Sequence, residues 1–137
     1  ATGGHLAGRI PSGPGSSRTC RGSIVAYATD VKETPLGVPA HVNAANGDVR
    51  EPVAVAMAEG ARSALGVDVA LGLTGSAGPD PQEQPVGTFM ISVATPDGTR
   101  VRTFRMPGDR ERIRTFATTA SLQLIRLSLQ GVEWGTG

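Results

Sequence analysis

Apolar positions along the second half of the chain follow two rhythms. In Glu51–Leu65, Val53, Met57, Ala61 and Ala64 recur at helical spacing, and Gly66 stands where the helix must stop. Val67-Asp68-Val69-Ala70-Leu71-Gly72-Leu73 is apolar at nearly every position, which predicts a strand buried on both faces and central in a sheet. Residues 88–94 and 99–105 read as two further strands around Pro96-Asp97-Gly98, an antiparallel hairpin. In the second of these, Val101, Thr103 and Arg105 point one way and Arg100, Arg102 and Phe104 the other. Its faces are therefore undecided, and it is placed near an edge. Pro107-Gly108-Asp109-Arg110-Glu111 opens a last helix with acidic side chains in its first turn, and Ile113, Phe116, Ala117, Ala120, Leu124 and Leu127 form its buried stripe.

The first half is less regular. Thr2 can cap a helix whose first turn holds Gly3 and Gly4, a turn with exposed N–H groups that suit an anion. Residues 11–17 are a turn-rich connector, and residues 22–28 read as a strand. Asp30 then caps a short helix ended by Pro35 and Gly37, so Tyr27 and Lys32 flank a strand-to-helix corner. The tail, residues 131–137, is expected to fray. The opening at Ala1 reads as the start of a helix whose preceding strand is missing, as in a truncated piece.

Composition narrows what such a chain does. Its 137 residues suit one domain. Thirteen basic against twelve acidic side chains leave no basic field for nucleic acid, and 4% aromatics leave few platforms for stacked bases. A single cysteine, Cys20, excludes an internal disulfide and fits a reducing compartment. His5 and His41 have no acidic or cysteine partner at ligand spacing, so no metal centre is expected. No apolar run reaches the length of a membrane span, and a cytoplasmic setting is expected.

The chemistry is expected around residues 73–87. Thr74-Gly75-Ser76-Ala77-Gly78 puts two glycines and small residues where a strand leaves the sheet, and backbone N–H groups there can approach a ligand closely. Open α/β sheets bind ligands at such ends. A surface loop built of turn residues is the other reading. Arg110, at a helix start, is either a receptor for phosphate or carboxylate or a solvated arginine. The phosphate loop ending in Lys and Ser or Thr is absent, as is a Gly-x-Ser-x-Gly elbow.

Taken in order, Thr2-Gly3-Gly4, Pro14-Gly15-Ser16-Ser17, Arg21-Gly22, Val25-Ala26-Tyr27, Lys32, Leu36-Gly37-Val38, Glu51 with Met57-Ala58, Thr74-Gly75, Ala77-Gly78-Pro79, Pro85-Val86-Gly87-Thr88 and Pro107-Gly108-Asp109-Arg110 form an ordered set. The chain thereby resembles the C-terminal domain of the competence-damage-inducible protein family, whose members include nicotinamide mononucleotide deamidases. The resemblance covers almost the whole chain. It implies an α/β fold, a three-layer α/β/α sandwich with a mixed sheet, and a homo-oligomer. It also implies hydrolysis of the carboxamide of nicotinamide mononucleotide to nicotinic acid mononucleotide and ammonia, with no metal and no cofactor. In such proteins a serine in Glu-Ser-Cys-Thr-Gly-Gly is the nucleophile, and here that motif is entered at Ala1, so the serine would precede this chain. The match assigns Lys32 and Tyr27 to proton transfer or nucleophile activation and Arg110 to substrate anchoring. Thr2, Gly3, Gly4, Gly75, Ala77 and Gly78 would line the pyridine nucleotide. Two departures stand out. Tyr-Ser-Asn of the family reads Tyr27-Ala28-Thr29, and His-Gly-Ala-Val-Ser reads Asn46-Gly47-Asp48-Val49-Arg50, adding Asp48 and Arg50 at the expected pocket rim. A domain that binds nucleotides without hydrolysing them fits the same residues.

Overall fold

The computed structural model of the chain describes residues 20–22, 24, 50–76 and 85–134. The expected elements at residues 2–10, 22–28 and 30–37, and the connector at 11–17, lie outside or almost wholly outside these.

Helix α1 is Glu51–Leu65, with Pro52 in its first turn and Gly66 closing it in a left-handed conformation. Val53, Ala54, Met57 and Ala58 are its buried residues, while Ala64, expected in the stripe, is exposed. Strand β1 follows as Ala70–Gly75. It starts three residues later than the apolar run, and its residues alternate between buried and half-buried. Strands β2, Thr88–Thr95, and β3, Gly98–Arg105, form the expected hairpin, with Thr95 opposite Gly98 across Pro96-Asp97.

The sheet order among the described residues is β1-β2-β3, and both pairings are antiparallel. No parallel pairing occurs among the described strands, and the strand expected at 22–28 lies almost wholly outside the described residues. Among the described strands it is β2 that lies between two neighbours and is buried on both faces, from Thr88 through Ala94. β1 was expected to be buried on both faces because its run is apolar, yet its residues alternate between buried and half-buried.

Successive β2 side chains serve opposite layers. Met90 packs with Ala54 of α1 and with Val101, and Ser92 donates to the Ala54 carbonyl at 2.5 Å. Phe89 and Ile91 turn to the other face, where they pack with Ile113, Ala117 and Leu124 of helix α2, Arg110–Leu129. The result is a three-layer α/β/α arrangement. α1 lies close because Gly72 has no Cβ: one built there would stand 2.5 Å from the Ala54 carbonyl oxygen and 2.9 Å from the Ala58 nitrogen. The β3 ambiguity resolves the same way. Thr99, Val101 and Thr103 face α1, and Phe104 joins the α2 side, its ring stacked on Phe89.

α2 begins at a true cap. Asp109 is extended, and its carboxylate accepts from the Arg112 N–H at 2.8 Å. Asp109→Ala should lower stability by about 1 kcal/mol, read as a lower urea midpoint at unchanged m-value; an unchanged midpoint would mean that solvent replaces the cap without loss. Phe116, expected in the buried stripe, is 39% exposed and touches Phe89 edge-on. Buried Thr118 and Ser121 take core positions instead, each hydroxyl donating to a carbonyl four residues back. The tail expected to fray folds back as far as Trp134, which packs against the α2-side core and donates from its indole N–H to Ser128 Oγ at 3.0 Å.

Candidate functional site

Three strand ends and two helix starts meet at one end of the sheet. β1 ends at Gly75, β2 begins at Thr88 and β3 ends at Arg105, opposite Thr88. Beyond the ladder, Ser76 N–H donates to the Thr88 carbonyl at 2.8 Å, Gly87 N–H to the Ser76 carbonyl at 2.7 Å, and Met106 N–H to the Gly87 carbonyl at 2.9 Å. These bonds hold together the chain on either side of residues 77–84, which lie outside the described residues. α2 starts a few residues after β3, at this same end. α1 also points its start here. Its Glu51 carboxylate accepts from Thr103, opposite Met90, whereas Glu59 further along the helix accepts from Thr99, opposite Ala94. The positive ends of two helix dipoles therefore converge on one sheet end.

Of the site residues that the resemblance assigns, the structure describes two, and of the two rim departures it describes Arg50, which is exposed. Arg110 is exposed at the first position of α2, at this sheet end. Asp109 occupies one first-turn N–H of the same helix, so an anion at α2 would depend on the Arg110 guanidinium rather than on the full set of helix donors. Gly75 is the last residue of β1, paired with Phe89, and a Cβ there would overlap the Phe89 Cβ. The absent side chain thus serves strand packing. Tyr27, Lys32, Thr2, Gly3, Gly4, Ala77 and Gly78 lie outside the described residues.

Sequence reading passed over two residues. Ser76 is 2% exposed and Thr88 1% exposed, and neither hydroxyl has a hydrogen-bond partner. Their signal was available: strand alternation puts Ser76 in the row of Gly72 and Thr74, and Thr88 in the row of Met90 and Ser92, polar residues on a helix-covered face. Beside the start of α2 lies an open groove of about 500 Å³, bordered by Met106, Asp109, Arg112 and Phe116 rather than by Arg110. Among the described residues no group of three His, Cys, Asp or Glu side chains is placed to hold a metal ion. None of the described helices is long and apolar enough to cross a membrane.

The described residues thus form a layered α/β domain that gathers three strand ends and two helix starts at one end of its sheet. Comparison with known proteins places it further. The chain belongs to the CinA C-terminal domain family, whose model matches residues 1–129. It is 53% identical to a CinA-like protein of Frankia casuarinae over 132 residues, 96% of this chain and 30% of that protein. A CinA-like protein of Mycobacterium tuberculosis is 45% identical over 134 residues, again 96% of this chain and 31% of the relative. The chain thus spans about a third of the length of these curated relatives. Among solved structures, competence damage-inducible protein A of Klebsiella pneumoniae superposes with a TM-score of 0.91 at 25% identity, over 98% of this chain and 83% of that one. The competence/damage inducible protein CihA of Agrobacterium tumefaciens gives 0.80 at 33% identity, over 93% and 80%.

Proposed function

We propose that the protein containing this chain is an amide hydrolase that converts nicotinamide mononucleotide to nicotinic acid mononucleotide and ammonia. The observation that carries the reading is the sheet end where the Thr74-Gly75-Ser76 strand exit, Gly87-Thr88 and the α2 start with Arg110 come together. Family membership supports it, with the ordered motifs from Thr2 to Arg110. An amide is a poor electrophile, so its hydrolysis needs an activated nucleophile, a base and donors for the oxyanion. In this reading a serine preceding Ala1 attacks the carboxamide carbon, and Lys32 with Tyr27 accepts its proton. The tetrahedral oxyanion collapses as that proton passes to the departing nitrogen and ammonia leaves, and water then cleaves the acyl-enzyme ester to the acid and the free serine. Arg110 holds one end of the substrate so that the amide lies in reach of attack.

The test is ammonia release from nicotinamide mononucleotide by the encoded protein, including the residues before Ala1. Turnover is expected. Binding without turnover would replace the hydrolase by a nucleotide-binding domain, and neither would remove both. On the active protein, Arg110→Lys should lose about 1–3 kcal/mol of binding or transition-state stabilisation, because lysine keeps the charge but not the planar two-pronged donor. Arg110→Ala should lose more, with the fold intact. Wild-type kinetics in Arg110→Ala would make it a solvated surface residue.

A further inference from the structure

Among the described strands β3 has a neighbour on one side only, β2. Thr95 faces Gly98 across Pro96-Asp97, and at the other end of the hairpin Met106 N–H donates to the Gly87 carbonyl. Alternation along an antiparallel ladder between these points directs the N–H and C=O groups of Arg100, Arg102 and Phe104 to β2. Thr99, Val101, Thr103 and Arg105 turn theirs the other way, toward the edge. An edge of this kind can accept a further strand.

The side chains say which strand. β3 carries Arg100, Arg102 and Arg105 and no acidic residue, and Arg100 and Arg105 are exposed. Arg100, Arg102 and Phe104 share the α2 side, where the Arg102 guanidinium lies over the Phe104 ring at 5.1 Å. Glu51 and Glu59 of α1 accept from Thr103 and Thr99 on the opposite side. A second copy of β3 would set arginines against arginines, which destabilises a ladder. A nucleic acid would find the Phe104 ring already stacked on Phe89, and its unbroken run of phosphates would meet Asp109 and Glu111 in the groove that opens where β3 ends. A peptide can change from acidic to apolar at that point. The groove, of about 500 Å³, offers it Met106 and the 39% exposed Phe116.

We propose that β3 is a docking edge for an extended, acidic segment of a partner protein, which adds to the sheet as a strand. Its carboxylates lie against the arginines of β3, and an apolar side chain at its end enters the groove beside Met106 and Phe116. The arginines thus serve twice, repelling a second copy of the same edge and selecting a strand of opposite charge. Docking here does not depend on amide hydrolysis, so binding alone reads it.

The full chain is titrated into a fluorescein-labelled, end-blocked peptide of alternating Glu and Val that ends in Phe, and anisotropy follows binding. Saturable binding that weakens with added salt is expected, and the same peptide with Lys in place of Glu should not bind. N-methylation of alternate peptide amides tests strand addition. The pattern that blocks the N–H groups directed at β3 should abolish binding, and the complementary pattern should leave it. Arg100→Glu should weaken binding about five-fold or more at an unchanged thermal midpoint, because this side chain is exposed. No binding of the acidic peptide up to about 1 mM overturns the proposal, as does wild-type affinity in Arg100→Glu. Binding kept in both methylation patterns, or lost in both, overturns it as well, because only a paired strand distinguishes the two. A single-stranded oligonucleotide that binds more tightly than the acidic peptide, and loses that binding in Arg100→Glu, would assign the edge to nucleic acid instead.

Discussion

Phe89→Ala is expected to lower the unfolding free energy by about 3–5 kcal/mol, a large share of what a domain of this size possesses. Phe89 is fully buried at the centre of the α2-side core with Ile91, Ile113, Ala117 and Leu124. Its ring stacks on Phe104 at 5.3 Å between centroids and meets Phe116 edge-on at 6.0 Å. Truncation removes the apolar area and leaves a void that rings held by β3 and α2 cannot readily fill. Urea unfolding followed by circular dichroism measures the loss. A loss below about 1 kcal/mol would show that the Phe104 and Phe116 rings collapse into the space, and that the face is softer than its packing indicates.

Gly72→Ala is expected to cost about 3 kcal/mol or more, at or above the upper end of the usual range for overpacking. The added Cβ would meet the Ala54 carbonyl oxygen and the Ala58 nitrogen, both backbone, together with Ser92 Oγ at 2.7 Å. A side chain can turn aside, but helix backbone must move as a body. The double variant Gly72→Ala, Ser92→Ala distinguishes the two: it should remain as unstable as the single variant, and recovery to wild-type stability would make Ser92 the real obstacle.

Much of the described fold was legible because its punctuation is strong. Gly66 fixes the end of α1, Pro96-Asp97 fixes the hairpin, and Asp109 caps α2 as an acidic residue at a helix start should. The misreadings have a common source. Phe116 and Ala64 were placed inside because they are apolar, and Thr118 and Ser121 were passed over because they are polar. Hydroxyls that bond to their own helix backbone are cheap to bury, and hydropathy does not see this. The apolar run ahead of β1 misled in the same way. Where polarity does not decide, strand neighbours do, and those are set by register. Ser76 and Thr88 are twelve positions apart in the chain and adjacent only through the pairing that the hairpin and β1 impose. Arg110 was legible from its helix start, and α1 from the helical spacing of its apolar residues. Their convergence on one sheet end follows from the antiparallel path of the strands.

The two covered faces of the sheet also differ optically. All three phenylalanines of the chain, Phe89, Phe104 and Phe116, and its only tryptophan, Trp134, gather on the α2 side. Among the described residues the α1 side is built from Val53, Ala54, Met57, Ala58, Gly72, Met90 and Ser92, none of which absorbs or emits in the near ultraviolet. Tryptophan emission therefore watches the α2 layer and is blind to the approach of α1 to Gly72 and Ser92. Indole fluorescence that superposes on the far-ultraviolet transition would establish that both layers melt together, whereas an earlier change in either signal would mark a layer that opens on its own.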